Sequence, residues 1–307
     1  MRIWRSWLAL AIAAACIAVV AGCGSSSKTT TTTTATSSGG SSTGGIKPDP
    51  AIVKQVPSAI KSKGTITVAA DASYAPDEFI GSDGHTVEGM DADLMKALGD
   101  VMGLKVNVTN QTFDSIIPGL AAGKYDVGAS SFTDTKEREK TVDFADYFVA
   151  GESFFTKAQG GTTVTGLDDS LCGKTVAVEK GTTEQDDATK QGAKCKAAGK
   201  PGVTVLAFPD QNGANLALSS GRAQLGFADS PVAAYQVKKS NGQFKLVGAS
   251  IENAPYGLAV PKNSGLLKPL LAALVSLKKN GQYESILSRW GIQAGAIKQF
   301  KENGATS

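Results

Sequence analysis

The stretch GASSFTDTKER, residues 128–138, combines several hydroxyl side chains with one arginine. The hydroxyls belong to Ser130, Ser131, Thr133 and Thr135. If Thr135 caps a helix over KEREK, Arg138 lies in the first turn and faces the positive end of the helix dipole, which is unfavourable. A bound anion would offset that cost, because a guanidinium donates two parallel hydrogen bonds to a carboxylate. We therefore predict a carboxylate site at Arg138. The alternative is a solvated arginine paired with a neighbouring acid.

A second anion-binding pattern is VEKGTTEQDDA, residues 178–188. A predicted strand runs into Gly181, which permits a tight turn, and then into Thr182 and Thr183 at the start of a helix. The free backbone N–H groups at a helix start can hold an anion. The alternative is that a threonine only caps the helix, and this is compatible with anion binding.

A candidate partner for a cation lies in GFADSPVAAY, residues 226–235. If Ser230 caps the following helix, the carboxylate of Asp229 is free to point into a crevice. An arginine on one side and an aspartate on the other are what a zwitterion requires. Tyr74 and Phe113 each follow a predicted strand and could enclose a ligand side chain; the alternative for both is core packing.

Short β-rich runs alternate with helical patterns from residue 64 onward. Strands are predicted at 65–71, 104–110, 125–131, 174–180, 203–210 and 224–230, and helices at 90–102, 113–123, 183–192, 212–220 and 231–238. A strand-rich piece at 147–158 divides the strands into two sets. The alternation predicts βαβ units and a mainly parallel sheet in each set. Polar residues end the strands, so two such sheets facing each other would form a ligand-binding cleft between lobes.

The N-terminus has the features of a secretory signal, with two arginines, an apolar run and then small residues. We assign residues 1–22 to a signal peptide. VAGC at residues 20–23 resembles the lipobox of bacterial lipoproteins, so Cys23 is the predicted lipidation site. Ordinary cleavage nearby is the alternative, and Cys16 is a weaker match. The Ser/Thr/Gly-rich segment at 23–50 is predicted to be a flexible tether above a membrane.

Two further cysteines, Cys172 and Cys195, form an even pair in an exported chain, which indicates a disulfide. Thiol catalysis is the less favoured alternative, because no histidine is near either cysteine in the sequence. The 307-residue chain carries 31 basic and 28 acidic side chains without a basic stripe, which argues against nucleic-acid binding. The sequence contains no metal-ligand pattern or common catalytic motif, and its single histidine, His85, lies in a predicted surface turn.

The chain from about residue 64 to 292 resembles the family 3 extracellular solute-binding proteins, the amino-acid receptors of ABC importers. The resemblance is carried, in family order, by VAADASYAPDEFI (68–80), GMDADLMKAL (89–98), FDSIIPGLAAGKYDV (113–127), SSFTDTKER (130–138), GKTVAVEKGTT (173–183), ADSPVAAY (228–235), APYGLAVPK (254–262) and NGQYESILSRWG (280–291). It implies a type II periplasmic-binding-protein-like α/β fold. Two lobes, each a mainly parallel sheet flanked by helices, are joined by two crossover strands. The implied bounds are 51–152 with 255–303 for lobe 1, and 153–254 for lobe 2.

The resemblance also implies how the two poles of an amino acid are held. Arg138, with the backbone at Thr133 and Thr183, takes the α-carboxylate. Asp229 takes the α-ammonium, with help from Ser131 and the Thr133 hydroxyl.

The same resemblance places Tyr74 and Phe113 beside the ligand side chain, and Asp71 and Ser130 at its far end. Glu179 is a departure, because its position often carries a neutral residue. Together Asp71 and Glu179 would favour a side chain rich in hydrogen-bond donors, such as that of Arg, Lys or Gln. The alternative is that one of the acids pairs with Lys180. Another departure is Asp77 in place of the usual Phe, which would alter the pocket rim.

These observations predict a non-enzymatic receptor that binds a polar or basic L-amino acid and delivers it to an ABC importer. Its expected partners are the amino acid, the permease subunits and, through the lipid anchor, a bacterial cell membrane. We expect the protein on the outer face of that membrane or in the periplasm. We expect a monomer without cofactor, metal or nucleic acid. The alternatives are a dehydratase-like enzyme of the same fold, with Glu179 as the acid, and a ligand-sensing lipoprotein that works with a separate signalling receptor.

Overall fold

A computed structural model describes residues 45–305 of the chain. The predicted signal peptide (1–22), Cys23 and the tether up to residue 44 lie outside the described residues. No helix among residues 45–305 is both long and apolar enough to cross a bilayer.

The described residues form helices and strands that alternate through most of the chain. The helices are α1 Pro50–Gln55, α2 Ser58–Lys63, α3 Met90–Met102, α4 Phe113–Ala121, α5 Thr183–Ala197, α6 Gln211–Ser219, α7 Ser230–Lys239, α8 Leu267–Lys279 and α9 Gln282–Trp290. The strands are β1 Thr65–Ala70, β2 Ser73–Tyr74, β3 Glu78–Ile80, β4 Val87–Glu88, β5 Lys105–Asn110, β6 Val127–Gly128, β7 Val142–Lys157, β8 Thr175–Glu179, β9 Thr204–Phe208, β10 Leu225–Asp229 and β11 Phe244–Pro261.

Helix α3 shows how the sequence sets these elements. Leu94, Leu98 and Met102 recur at helical spacing and are buried against the core. Gly103 ends the helix with a positive φ of 69°, a conformation that glycine adopts without steric cost. The observed bounds equal the predicted ones, because the apolar period and the C-terminal glycine are both in the sequence.

The main sheet has eight strands in the order β5-β1-β6-β11-β7-β10-β8-β9. Strand β1 runs parallel to β5 and β6, and β8 runs parallel to β9 and β10. We call the half with β1, β5 and β6 the first lobe and the half with β8, β9 and β10 the second lobe. Both mainly parallel halves were predicted, and the structure confirms them.

Two long antiparallel strands connect the lobes. β7 has 16 residues and β11 has 18, and their pairing runs from Lys157 opposite Phe244 to Val142 opposite Pro261. The register is irregular between Val247 and Ala254, where the strands pass from one lobe to the other. The predicted two-lobed fold with two crossover strands is therefore confirmed, and the strand-rich piece at 147–158 is part of β7.

Each lobe has its own apolar core, which fixes the strands whose ends carry the polar residues. In the first lobe Ile66, Leu94 and Leu270 are fully buried in one cluster. In the second lobe Phe154 stacks on Phe227 with ring centroids 3.9 Å apart. The strand ends are therefore rigid supports for side chains in the cleft.

Two local predictions are wrong. The predicted helix after Thr135 is only a 3-10 turn, Arg138–Lys140, because the chain enters β7 at Val142 directly afterwards. Helix α7 begins at Ser230 rather than after it, and the Ser230 hydroxyl accepts from the N–H of Gly151 in β7 (3.3 Å) instead of capping the helix.

The predicted disulfide between Cys172 and Cys195 is present, and the two cysteines are 23 positions apart in sequence. It ties the segment before β8 to the buried face of α5. Closing a loop of this size in the unfolded chain stabilises by about 3 kcal/mol in the chain-entropy model. We expect the double variant Cys172→Ala/Cys195→Ala to lose about that much free energy of unfolding in a urea titration. Reduced wild-type protein should behave like the variant, and an unchanged midpoint would contradict this.

Candidate functional site

A narrow cavity lies in the cleft between the lobes. Its walls are Asp71, Tyr74, Phe113, Ser130, Ser131, Thr133, Arg138, Glu179, Thr182, Thr183, Glu184 and Asp229. The structure thus brings all ten predicted ligand-binding residues together around one space. Thr182 and Glu184 are additional.

The walls are built from strand ends and helix starts, as the parallel sheets require. Asp71 follows β1, Ser130 and Ser131 follow β6, and Phe113 begins α4, all in the first lobe. Glu179 ends β8, Thr183 begins α5 and Asp229 ends β10, all in the second lobe. The cavity therefore has polar groups on both sides.

Arg138 spans the cleft. Its Nη1 donates to the carbonyl of Thr133 in the first lobe (2.8 Å) and its Nη2 to the carbonyl of Gly181 in the second (3.0 Å). Its guanidinium also lies over the rings of Phe113 and Phe132, 5.3 and 5.6 Å from their centroids. The arginine is thus held against the cavity wall by apolar rings and is not paired with the acids beside it in sequence.

Burial lowers the pKa of Arg138, while the nearby carboxyls of Glu184 and Asp229 favour its charged form. An arginine remains charged throughout the accessible pH range. Each of its two carbonyl partners is neutral, so the guanidinium keeps its full positive charge for an anion in the cavity.

Asp229 lies on the other side of the cleft and contacts Tyr74. The Tyr74 hydroxyl donates to Oδ2 of Asp229 (3.0 Å) and accepts from the Asp229 backbone N–H (3.0 Å). Burial raises the pKa of Asp229 to about 8, and Glu152 adds to the effect. Such a buried carboxyl becomes stable as an anion when a cation is bound beside it.

Tyr74 and Phe113 both line the cavity, but they do so differently. The Tyr74 ring packs in a core cluster with Phe155, and its hydroxyl reaches Asp229 across the cleft. Phe113 stacks on Phe132 with ring centroids 4.5 Å apart. Both the predicted wall position and the alternative of core packing therefore apply to these two residues.

Asp71 is held by donors from its own lobe. Its Oδ1 accepts from the N–H and hydroxyl of Ser73 (3.1 and 2.7 Å), and its Oδ2 accepts from the N–H of Phe113 (3.0 Å). Glu179 of the second lobe lines the same cavity, and its Oε1 is buried without a partner. Burial raises the pKa of both carboxyls.

The alternative pairing of these acids with Lys180 is not observed. Lys180 Nζ lies 2.7 Å from Oδ2 of Asp114, at the rim of the cleft. Lys180 is therefore the ion-pair partner of Asp114 and not of Asp71 or Glu179.

The hydroxyls after β6 point partly away from the cavity. Ser130 Oγ accepts from the N–H of Asp71 (2.8 Å) and donates to Glu78 (2.9 Å). Ser131 has a positive φ of 48° and donates to Asp77 (3.1 Å). Asp77 is fully buried, accepts from the Ser131 hydroxyl and is not a wall residue of the cavity. The buried carboxyls beneath give these two hydroxyls acceptors inside the lobe.

Sequence reasoning missed Glu184 as a wall residue. It is the second residue of α5, is 1% exposed, and has a buried Oε1 without a partner. Burial and the nearby Asp229 raise its pKa well above the usual range, and Arg138 opposes this. An acid in the first turn of a helix is normally explained by the helix dipole, so its sequence position gave no signal of a site.

Two α/β lobes on paired crossover strands, with a charged cavity in the cleft, define a solute-binding protein of the periplasmic type. The bacterial extracellular solute-binding proteins, family 3, match residues 66–293, and the chain belongs to this family.

Among individual proteins, the arginine-binding protein ArgT of Corynebacterium glutamicum is 38% identical over 254 residues, covering 82% of each chain. A solved ancestral arginine-binding protein bound to arginine is 37% identical, with a TM-score of 0.68 over 74% of this chain and 98% of its own. An ancestral amino-acid-binding protein, a precursor of cyclohexadienyl dehydratase, is 33% identical with a TM-score of 0.68, over 76% and 97% respectively.

Proposed function

We propose that this protein binds a free basic L-amino acid, arginine first, in the cavity between its lobes and delivers it to an ABC importer. The observation that carries the proposal is the set of charged groups on the walls of the cavity. Arg138 and Asp229 offer opposite charges for the two poles of an amino acid, and the acids Asp71 and Glu179 offer acceptors for a cationic side chain.

The energetics agree with a binding role. Hydrogen bonds to charged groups contribute about 1.5–3 kcal/mol each, so a few of them support micromolar or tighter affinity after the costs of association. Closure of the two lobes buries the ligand, and contacts between charges strengthen when water is excluded. The relatives support the choice of arginine, since ArgT is named for binding it and the ancestral protein was solved with it.

An enzymatic role has less support. The ancestral relative is described as a precursor of a dehydratase, so the fold itself is compatible with catalysis. In this chain, however, Asp229 provides a carboxyl for an ammonium group, which a cyclic keto acid does not have. We therefore propose a receptor and not a catalyst.

The remaining parts of the proposal concern the whole chain. We propose a signal peptide at 1–22 and a lipidated Cys23, followed by a tether that holds the lobes near the outer face of the membrane. Lobe bounds of 51–152 with 255–303, and 153–254, agree with the irregular stretch in the pairing of β7 and β11. We further propose that the protein acts as a monomer that docks on the permease subunits.

The function is tested by a thermal-shift screen of the chain from residue 45 onward against the twenty amino acids. A ligand at 100 times its dissociation constant adds about 2.7 kcal/mol of stability. We expect arginine to give the largest shift and lysine or glutamine a smaller one. Agmatine, which is arginine without its carboxylate, is the matched control and should give little shift. The proposal would be contradicted if no amino acid raised the melting temperature, or if agmatine gave the same shift as arginine.

A further inference from the structure

Two buried carboxyl groups from different lobes line the same cavity. Asp71 is 4% exposed at the end of β1, and Glu179 is 2% exposed at the end of β8. Two ionised carboxylates in contact inside a protein repel each other strongly. One proton between them removes that repulsion.

The hydrogen bonds identify which carboxyl carries the proton. Asp71 accepts three hydrogen bonds from Ser73 and Phe113, and such donors favour its ionised form. Glu179 lacks a comparable set, and its Oε1 has no partner. Burial is the largest cause of the raised pKa of both carboxyls. The hydrogen-bond interaction between the two acids opposes this rise for the pKa of Asp71 and adds to it for the pKa of Glu179. Glu179 is therefore the donor and Asp71 the acceptor.

The other groups around this pair are mostly acidic. Those that act on it are Asp210 before α6, Glu184 on α5, Glu78 on β3 and Tyr74 on β2. Lys180, the next residue after Glu179, is paired with Asp114 of α4. Apart from Lys180, none of these groups is a cation, so a second ionised carboxylate in the pair would lack a countercharge.

We infer that Glu179 is protonated in the unliganded protein and donates a hydrogen bond to Asp71. The cationic side chain of the bound amino acid then takes the place of this proton. The inference rests on the proposed function. In the exchange the O–H bond of Glu179 breaks and the proton passes to the buffer. The guanidinium or ammonium of the ligand then donates hydrogen bonds to both carboxylates.

The exchange is favourable because a guanidinium satisfies more acceptors than one proton can. It has five N–H donors in a planar fork, which suits two neighbouring carboxylates. A single proton leaves Oε1 of Glu179 without a donor, and a buried unsatisfied acceptor is costly. A neutral amide side chain provides donors but no charge, so Glu179 keeps its proton when glutamine binds.

The measurement that follows is the number of protons released on binding, obtained by titration calorimetry in buffers with different ionisation enthalpies. We expect arginine to release about one proton more than glutamine at neutral pH. The comparison isolates the effect of the two acids, because both ligands present the same carboxylate and ammonium to Arg138 and Asp229. The arginine affinity, relative to that of glutamine, should rise up to about tenfold per pH unit.

The variant Glu179→Gln keeps the shape of the side chain and removes the titrating group. In it the difference in proton release between arginine and glutamine should vanish. Glu137→Gln is the matched control, since Glu137 is exposed and paired with Lys140 outside the cavity, and it should keep the difference. If Glu179→Gln fails to fold, the wild-type difference and its pH dependence still decide.

Equal proton release for the two ligands in the wild type would overturn this inference and leave the proposed function intact. A difference that persists in Glu179→Gln would overturn it as well, since the proton would then come from another group. Absence of amino-acid binding would instead overturn the proposed function, and this inference with it.

Discussion

The variant Arg138→Ala should lose at least about 100-fold in affinity for every amino-acid ligand. Two parallel hydrogen bonds from a guanidinium to a carboxylate are charge-assisted, and each contributes about 1.5–3 kcal/mol. Without them the ligand carboxylate would be buried beside Glu184 and Asp229 with no countercharge. The loss should not depend on the ligand side chain, because all amino acids share the carboxylate. Isothermal titration with arginine, lysine and glutamine measures it.

The variant also removes a link between the lobes, since Arg138 donates to Thr133 and Gly181 on opposite sides of the cleft. Arg138→Lys separates the two roles: it keeps the charge but cannot form the paired geometry, so it should recover only part of the affinity. Lys136→Ala is the matched control, because Lys136 is exposed and paired with Glu139. Unchanged affinity in Arg138→Ala would show that the carboxylate is held elsewhere.

The variant Asp229→Asn should weaken ligand binding about 10- to 100-fold while it stabilises the unliganded protein. The amide keeps an oxygen that can accept from the Tyr74 hydroxyl, so the packing is preserved. The amide cannot, however, neutralise the ligand ammonium, and one charge-assisted hydrogen bond is lost. Affinity and stability therefore change in opposite directions.

The stability effect follows from the protonation of Asp229. Its pKa is about 8 in the folded protein, against about 3.9 for an aspartate in an unfolded chain. Between these values the folded state holds more protons than the unfolded state, so stability falls as the pH rises. Asp229→Asn does not lose stability in this way. Its free energy of unfolding, relative to that of the wild type, should therefore increase from about pH 4 to pH 8. Urea titrations at several pH values measure the difference. A constant difference, or one that shrinks with pH, would contradict the assignment.

Much of the fold could be predicted because its signals are local. The apolar period and terminal glycine of α3 define that helix completely, and the β-rich runs define the parallel strands. The position of Arg138 in the cavity was also predicted, although the dipole argument for it was wrong. The arginine lies in a 3-10 turn too short for a helix dipole, and β7 begins at Val142, two residues after the turn ends at Lys140.

What the sequence could not provide depends on contacts between distant segments. Whether Lys180 pairs with Asp114 or Glu179 depends on how the two lobes approach each other, and no local pattern encodes that distance. The hydroxyl of Tyr74 finds Asp229, 155 residues away in sequence. The burial of Asp77 likewise involves a distant segment, because its carboxylate accepts from the hydroxyl of Ser131, 54 residues away in sequence.

The paired crossover strands make the opening of the cleft a motion with few degrees of freedom. Because β7 and β11 are hydrogen-bonded along most of their length, a change of angle is absorbed where their register is irregular, between Val247 and Ala254. A substitution there would alter the fraction of molecules able to accept a ligand without touching the cavity. The apparent dissociation constant is the intrinsic one divided by that fraction. Substitutions in this part of the crossover strands would therefore change the affinity for all ligands without changing which ligand is preferred.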